Sequence, residues 1–314
     1  MELDKFEVLR VLGEGSYGIV YKCMNRKTNQ LVAIKKMKHS NDYDSQKIFN
    51  RELKMLRDIK HKHIVTLLEA TKKRNVIYLV FEFIGSNLLE ELKRYANGMD
   101  EKLVSIYLDQ ILMAVRYLHS NSIIHRDLKP ANILIERNTL KVCDFGFARK
   151  IDFNYKHTEY VATRGYRAPE LLLGMVYNEM VDVFAIGCIA FEMKQGRTLL
   201  QGNSDLSQLI LITKLIGPLS SIQKQVFANN PCFYGIKFPY KISLPMYHKL
   251  PITLVFKEFL DDSLAVDPKD RKSAESLLGS HYIRGFRRHA IRKTKRTYPE
   301  TEKAFIHNQP LSFK

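Results

Sequence analysis

The run His125-Arg126-Asp127-Leu128-Lys129-Pro130-Ala131-Asn132, followed downstream by Asp144-Phe145-Gly146, sets two carboxylates, a lysine and an amide in order around the short apolar segments Ile133 to Ile135 and Lys141 to Cys143. Hard oxygen donors suit a hard divalent ion, so Asn132 and Asp144 read as ligands for Mg²⁺ bridging phosphate oxygens. Asp127 is the group to accept, or at least to orient, the proton of a hydroxyl nucleophile. Lys129 can stabilise negative charge on a transferring phosphoryl group.

Outward toward the N-terminus, Gly13-Glu14-Gly15-Ser16-Tyr17-Gly18-Ile19-Val20 follows the strand-like Phe6 to Leu12 and runs into another strand, Val20 to Met24. Glycine lets backbone amides approach phosphate oxygens that a Cβ would hold off. A dinucleotide-binding fold needs a helix directly after such glycines, whereas a β pattern continues here. In the strand Val32-Ala33-Ile34-Lys35 one lysine interrupts apolar neighbours. A lone strand lysine ordinarily faces solvent. Glu52 argues otherwise: it lies on the apolar-face side of a helical stretch, Ser45 to Ile59, in which Ile48, Met55 and Leu56 recur, and is placed to pair with Lys35 and hold it on the α- and β-phosphates.

At 314 residues the chain predicts two lobes around separate cores. Short β-like runs dominate from Phe6 to about Val80. Helical periodicity follows, clearest from Glu101 to Leu118, where Val104, Tyr107, Leu108, Ile111, Leu112, Val115 and Leu118 share a face. Gly217-Pro218 and the Pro-rich stretch to Pro251 predict an irregular insertion. With 45% hydrophobic and 26% charged residues the composition is that of a soluble globular chain. No run approaches the roughly 18 apolar residues of a membrane span, and Met1-Glu2-Leu3-Asp4-Lys5 lacks the form of a secretory signal, so cytosol or nucleus is the expected compartment. Cys23, Cys143, Cys188 and Cys232 form no CxxC pair and read as buried free thiols. The net charge of +17 suits any polyanion, and part of it lies in the tail from Arg284 to Arg296. No aromatic-and-glycine RNA motif, zinc spacing or basic zipper accompanies it, so a nucleic-acid partner is not favoured.

Together these motifs resemble eukaryotic protein kinases from about Phe6 to about Ile283. The resemblance implies an α+β, bilobal protein kinase fold across residues 1–283: a β-rich N-lobe with one regulatory helix to about residue 80, a hinge at about 81–85, a mainly helical C-lobe over about 86–283, and a basic extension over 284–314. It implies ATP and Mg²⁺ as cofactors. ATP would lie among Leu12, Gly13, Glu14, Gly15, Ser16, Tyr17, Gly18, Val20, Ala33 and Lys35, with Phe81 at the back and backbone groups of Glu82, Phe83 and Ile84 offered to adenine. Lys35, Glu52, Asp127 and Lys129 would carry catalysis, with Asn132 and Asp144 on the metal. Lys129 also resembles the lysine of serine/threonine kinases, and protein substrates follow. Ala168-Pro169-Glu170 looks like the close of the activation segment, with Arg271 as the buried partner of Glu170 and Asp182 as the carboxylate bracing the catalytic loop. Leu56, Leu67, His125 and Phe145 would stack between the lobes.

Thr158-Glu159-Tyr160-Val161-Ala162-Thr163-Arg164 resembles the dual-phosphorylation lip of mitogen-activated kinases, while Gly13 to Val20 and Leu79 to Ile84 look like cyclin-dependent kinases. That combination, with Cys143 to Arg149 and Gly202 to Leu209, is similar to the cyclin-dependent kinase-like family. The resemblance implies activation by an upstream kinase or by autophosphorylation. Arg51, Arg126 and Arg149 would receive phosphorylated Thr158, and Arg164 and Arg167 phosphorylated Tyr160. The Ser45 to Ile59 stretch lacks the cyclin-contacting signature, so no obligatory cyclin is expected, and the family's compartments add the cilium to cytoplasm and nucleus. Two departures stand out: Phe184 where relatives carry Trp after Asp182, and Gly165 where they carry Trp in the lip. Gly165 predicts a looser peptide shelf and bears on whether proline is required after the target residue. The competing readings are a pseudokinase scaffold, a nucleic-acid-binding protein acting through its tail, and a small-molecule kinase. The first would have lost Lys35, Asp127, Asn132 or Asp144, and the last would lack Ala168-Pro169-Glu170 and a phosphorylatable lip.

Overall fold

Runs of β-branched and aromatic residues broken by polar turns fold into five strands: β1 (Phe6–Gly15), β2 (Gly18–Asn25), β3 (Leu31–Met37), β4 (Leu67–Lys73) and β5 (Val76–Glu82). The computed structural model describes residues 3–15, 18–37, 53, 56–73, 76–150, 164–236 and 245–287. The strands form one antiparallel sheet in the order β1-β2-β3-β5-β4. Register puts Lys35 between Val20 and Leu79, and Ala33 between Lys22 and Phe81. Because strand side chains alternate, Val32 and Ile34 face the other way, into a cluster with Phe6, Cys23 and Val80. A slip of one residue would turn Lys35 into that cluster.

The remaining chain is mostly helical: α1 (Leu88–Leu92), α2 (Glu101–Ser120), α3 (Pro169–Leu172), α4 (Met180–Gln195), α5 (Asp205–Leu215), α6 (Ser221–Asn229), α7 (Leu254–Leu264) and α8 (Ala274–Leu278). All seven apolar residues of the predicted stripe on α2 are buried. Every residue of α4 from Val181 to Met193 is buried, as expected of a helix apolar on all sides. Short strands complete this part: β6 (Ser86–Asn87) just before α1, and β7 (Ile123–Ile124), β8 (Ile133–Glu136), β9 (Thr139–Val142) and β10 (Arg149–Lys150) between α2 and α3, paired as β6-β8-β9 and β7-β10. The architecture is the expected α+β one, a β-sheet N-lobe and a helical C-lobe.

Four expectations are corrected. The cores are only partly separate: the sheet keeps its own small cluster around Val32, Ile34 and Val80, but Leu56, Ile59, Ile64, Val65 and Leu79 share one cluster with α2 and α4, because the inner face of the sheet closes on the helical lobe. The hinge expected at about 81–85 overlaps the strand, since Phe81 and Glu82 still belong to β5 and pair with Ala33 and Val32. The segment after Pro218 is not wholly irregular; Ser220 and Gln223 form a capping box that starts α6, a signal present in the sequence. Of the four thiols Cys23 and Cys188 are buried, Cys143 is half-buried and Cys232 is exposed. In the Ser45 to Ile59 stretch, residues 45–52, 54 and 55 lie outside the described residues; Leu53 and Leu56 to Asp58 are helical, and Ile59 lies past the helix.

Candidate active site

A cleft of about 720 Å³ between the sheet and the helical lobe is lined by Leu12, Gly13, Glu14, Gly15, Gly18, Val20, Ala33, Lys35, Phe81, Glu82, Phe83 and Ile84 from one side, and by Asp127, Lys129, Asn132 and Asp144 from the other. Ser16, Tyr17 and Glu52 lie outside the described residues. Val65, Leu134, Cys143 and Phe147 line it as well, unforeseen because their motif neighbours carried the argument. Burial pushes the Cys143 thiol far up, so it is an apolar wall and not a nucleophile.

Two residues of the candidate site stand in left-handed backbone. Arg126 has φ +69° and Asp144 φ +61°, left-handed conformations that each cost about 1–3 kcal/mol unless the surroundings hold them. For Arg126 the holder is Asp182 at the start of α4. Its Oδ2 accepts the His125 N–H (2.9 Å) and its Oδ1 the Arg126 N–H (2.8 Å), while His119 on α2 lies 2.9 Å from Oδ2. Burial opposes ionisation of Asp182, but His119 and the backbone N–H of His125 outweigh it and hold the carboxyl below the usual range. The brace was expected of Asp182; the part played by His119, remote in sequence, was not.

With the loop held, Lys129 Nζ lies 2.9 Å from Asp127 Oδ2, and the Asn132 amide nitrogen donates to Asp127 Oδ2 (2.9 Å) and to its carbonyl oxygen (2.8 Å). The Asn132 amide oxygen is therefore the atom turned away from Asp127. Lys35 Nζ lies 2.8 Å from Asp144 Oδ1. Burial raises the Asp144 pKa, yet Lys35 and His125 prevail and hold the carboxyl low, hence ionised at neutral pH. The His125 ring stands edge-on to Phe145 at 5.1 Å, in the core that also contains Leu56 and is flanked by Leu67.

These residues fit a magnesium nucleotide. Among the described residues no cluster of three or more His, Cys, Asp or Glu side chains could cage a metal alone. Mg²⁺ typically takes one or two protein carboxylates or amides and completes its shell with phosphate oxygens, and Asp144 with the Asn132 oxygen is such a set. A Cβ on Gly13 or Gly15 would meet nothing within 4 Å, so these glycines leave open space along the cleft. Gly18 differs: at φ +151° its Cβ would collide with the Lys36 carbonyl oxygen, so it is required by close approach to β3.

At the lip's C-terminal end Arg271 makes two hydrogen bonds to Glu170 (2.6 and 2.8 Å), both side chains buried, and lies over the Phe184 ring at 5.0 Å. Phenylalanine in place of Trp thus keeps an aromatic face under the guanidinium. Gly165 lies in a tied turn, not a loose one: Arg164 and Arg167 both reach Asp205 Oδ1 at 3.3 Å, Tyr166 donates to Glu192 (2.6 Å), and a Cβ on Gly165 would stand 3.1 Å from the Leu200 oxygen. Arg126 donates to the Phe147 carbonyl and to Tyr177 Oη, both at 2.6 Å, and its buried Nη2 has no hydrogen-bond partner among the described residues. Arg149 pairs across the β7-β10 ladder with Ile124, two residues before Arg126. Arg51, Thr158 and Tyr160 lie outside the described residues. No helix among the described residues is long and apolar enough to cross a membrane.

Comparison with known proteins agrees with this geometry. The protein kinase domain profile matches residues 6–283. Cyclin-dependent kinase-like 4 of Mus musculus is 39% identical, covering 94% of this chain and 88% of that protein. Cyclin-dependent kinase-like 5 of Mus musculus is 42% identical over 99% of this chain, and cyclin-dependent kinase-like 2 of Oryctolagus cuniculus 44% over 88%. The chain spans only 34% and 50% of the length of those two relatives.

Proposed function

The chain belongs to the protein kinase family, in its cyclin-dependent kinase-like branch, and on that footing we propose that it transfers the γ-phosphate of ATP to serine or threonine hydroxyls of protein substrates. The observation that carries the reading is the meeting of Lys35, Asp127, Lys129, Asn132 and Asp144 in one cleft, with Lys35 on Asp144 and both Lys129 and Asn132 on Asp127.

Bound MgATP supplies the phosphoryl group and the divalent charge that neutralises it. The protein orients and stabilises. Asp127, fixed by Asn132, takes up or orients the proton of the attacking hydroxyl, and Lys129 offsets charge on the transferred group. Lys35 would steady the α- and β-phosphates, with Glu52 as the partner the sequence offers it, and Asp144 with Asn132 would hold the ion. The Glu82 N–H already donates to the Thr66 oxygen (3.1 Å), so the Glu82 carbonyl and the backbone of Ile84 are the groups to meet adenine. No covalent enzyme intermediate is involved; rate comes from placement and electrostatics.

Phosphorylation of Thr158 and Tyr160 switches the enzyme on. The Nη2 of Arg126, without a hydrogen-bond partner among the described residues, supports this, since a buried guanidinium edge suits a phosphate dianion. An upstream kinase or the chain itself supplies the phosphates, and no cyclin is required. Proline after the target residue is favoured. The test is radiolabelled phosphate transfer from MgATP by the purified chain alone to a basic protein and to a peptide library. Transfer that is lost in Asp144→Asn, falls in Thr158→Ala with Tyr160→Phe, and prefers Ser/Thr-Pro peptides bears out all parts. ATP binding without transfer, even after lip phosphorylation, would make the chain a scaffold.

A further inference from the structure

Glu82 is the first residue past Phe81, and its carboxylate faces away from the job its backbone is given. Both of its oxygens are taken by Lys141 Nζ, at 2.7 and 2.8 Å, and Oε1 also accepts the Thr66 N–H at 2.7 Å. Since the Glu82 N–H donates in turn to the Thr66 oxygen, this one residue is tied twice to the segment entering β4 and once to β9. Lys141 stands on β9 opposite Leu134 of the cleft floor, on the strand that leads directly to Asp144. On the neighbouring residue, Lys22 of β2 lies over the Phe83 ring at 4.6 Å. The side chains of Lys141 and Glu82 are only 20% and 26% exposed, so water and salt screen the pair less than a surface one.

We propose that Lys141 is a positioning residue for nucleotide selection: by clamping the Glu82 carboxylate it fixes the connector backbone against which the base is read. The inference rests on the kinase reading of this cleft. A charge-assisted contact of one ammonium with both carboxylate oxygens restrains the side chain, and a base edge is told apart by hydrogen bonds whose donors and acceptors must stand within a few tenths of an ångström. Released from Lys141, the Glu82 carbonyl tilts, and an adenine amino group loses the acceptor it needs. Guanine presents an oxygen at that place and has little to lose.

The experiment compares the full chain with Lys141→Ala and Lys141→Arg, reading ADP and GDP binding by calorimetry beside steady-state turnover with MgATP. Lys141→Ala is expected to weaken ADP by about tenfold and GDP by less than about twofold, to raise KM for ATP with kcat little changed, and to be rescued by Lys141→Arg, which keeps a cation able to reach both Glu82 oxygens. Unaltered ADP affinity, or an equal loss for both nucleotides with a lowered melting temperature, would overturn the proposal by reducing the pair to support of the fold. Should the unsubstituted chain neither bind ADP nor transfer phosphate, the kinase reading fails; if it does both and Lys141→Ala keeps its selectivity, only this inference fails.

Discussion

Replacing Asp182 by Asn keeps shape and volume while removing the charge that holds the catalytic loop. The carboxylate accepts from three donors, the N–H groups of His125 and Arg126 and the His119 ring. An amide has one oxygen. Whichever way it turns, its NH₂ meets the N–H of either His125 or Arg126, leaving a buried donor unpaired, at about 1–3 kcal/mol. The remaining contacts lose their charge assistance, about 1 kcal/mol each. The left-handed Arg126 is then held less firmly, by its side-chain bonds to Phe147 and Tyr177 and a weakened brace, so the loop relaxes and Asp127 moves off its line. The expected loss is about 3–5 kcal/mol of unfolding free energy by urea titration, a large share of the roughly 5–15 kcal/mol of a typical domain. Single-turnover transfer is expected to fall by at least about a hundredfold. A loss under about 1 kcal/mol with transfer intact would refute the brace.

Arg271→Met strands the buried Glu170 carboxylate and is expected to cost about 3–5 kcal/mol, whereas Glu170→Met in the same background recovers much of it; calorimetric melting of the two proteins checks this. Gly18→Ala puts a Cβ against the Lys36 oxygen, and the resulting strain of about 1–3 kcal/mol should appear chiefly as weaker ADP binding in a titration. His63 is buried with Nδ1 donating to the Leu140 oxygen (2.9 Å), and burial lowers its pKa, as it does for His61 stacked on Tyr117. The unfolded chain therefore binds more protons in the window below pH about 6.5, so stability is full above that window and declines as pH falls through it, by at most about 1.4 kcal/mol per pH unit for each such histidine. Urea titrations at about pH 7.5 and 5.5 should show that decline in the unsubstituted chain and less of it in His63→Asn.

The fold class and nearly all of the cleft were legible in the amino-acid order. Strand alternation, the helical stripe of α2 and the ordered motifs around Asp127 and Asp144 are local patterns, carried by backbone geometry and spacing that need no knowledge of distant contacts. Even the Glu170–Arg271 pair could be read there, because each partner sits in a motif of its own. How those motifs are held was settled only by packing. That Lys35 rests on Asp144, that His119 supports Asp182, that Arg164 and Arg167 share Asp205, and that Lys141 clamps Glu82 are contacts between residues far apart in the chain. Such pairings leave no periodicity to read, since a charge on a strand or helix names no partner until packing brings one within reach. The core that joins the two lobes has the same origin: the apolar inner face of a five-stranded sheet must be covered, and which helices cover it follows from how the chain closes, not from any one segment.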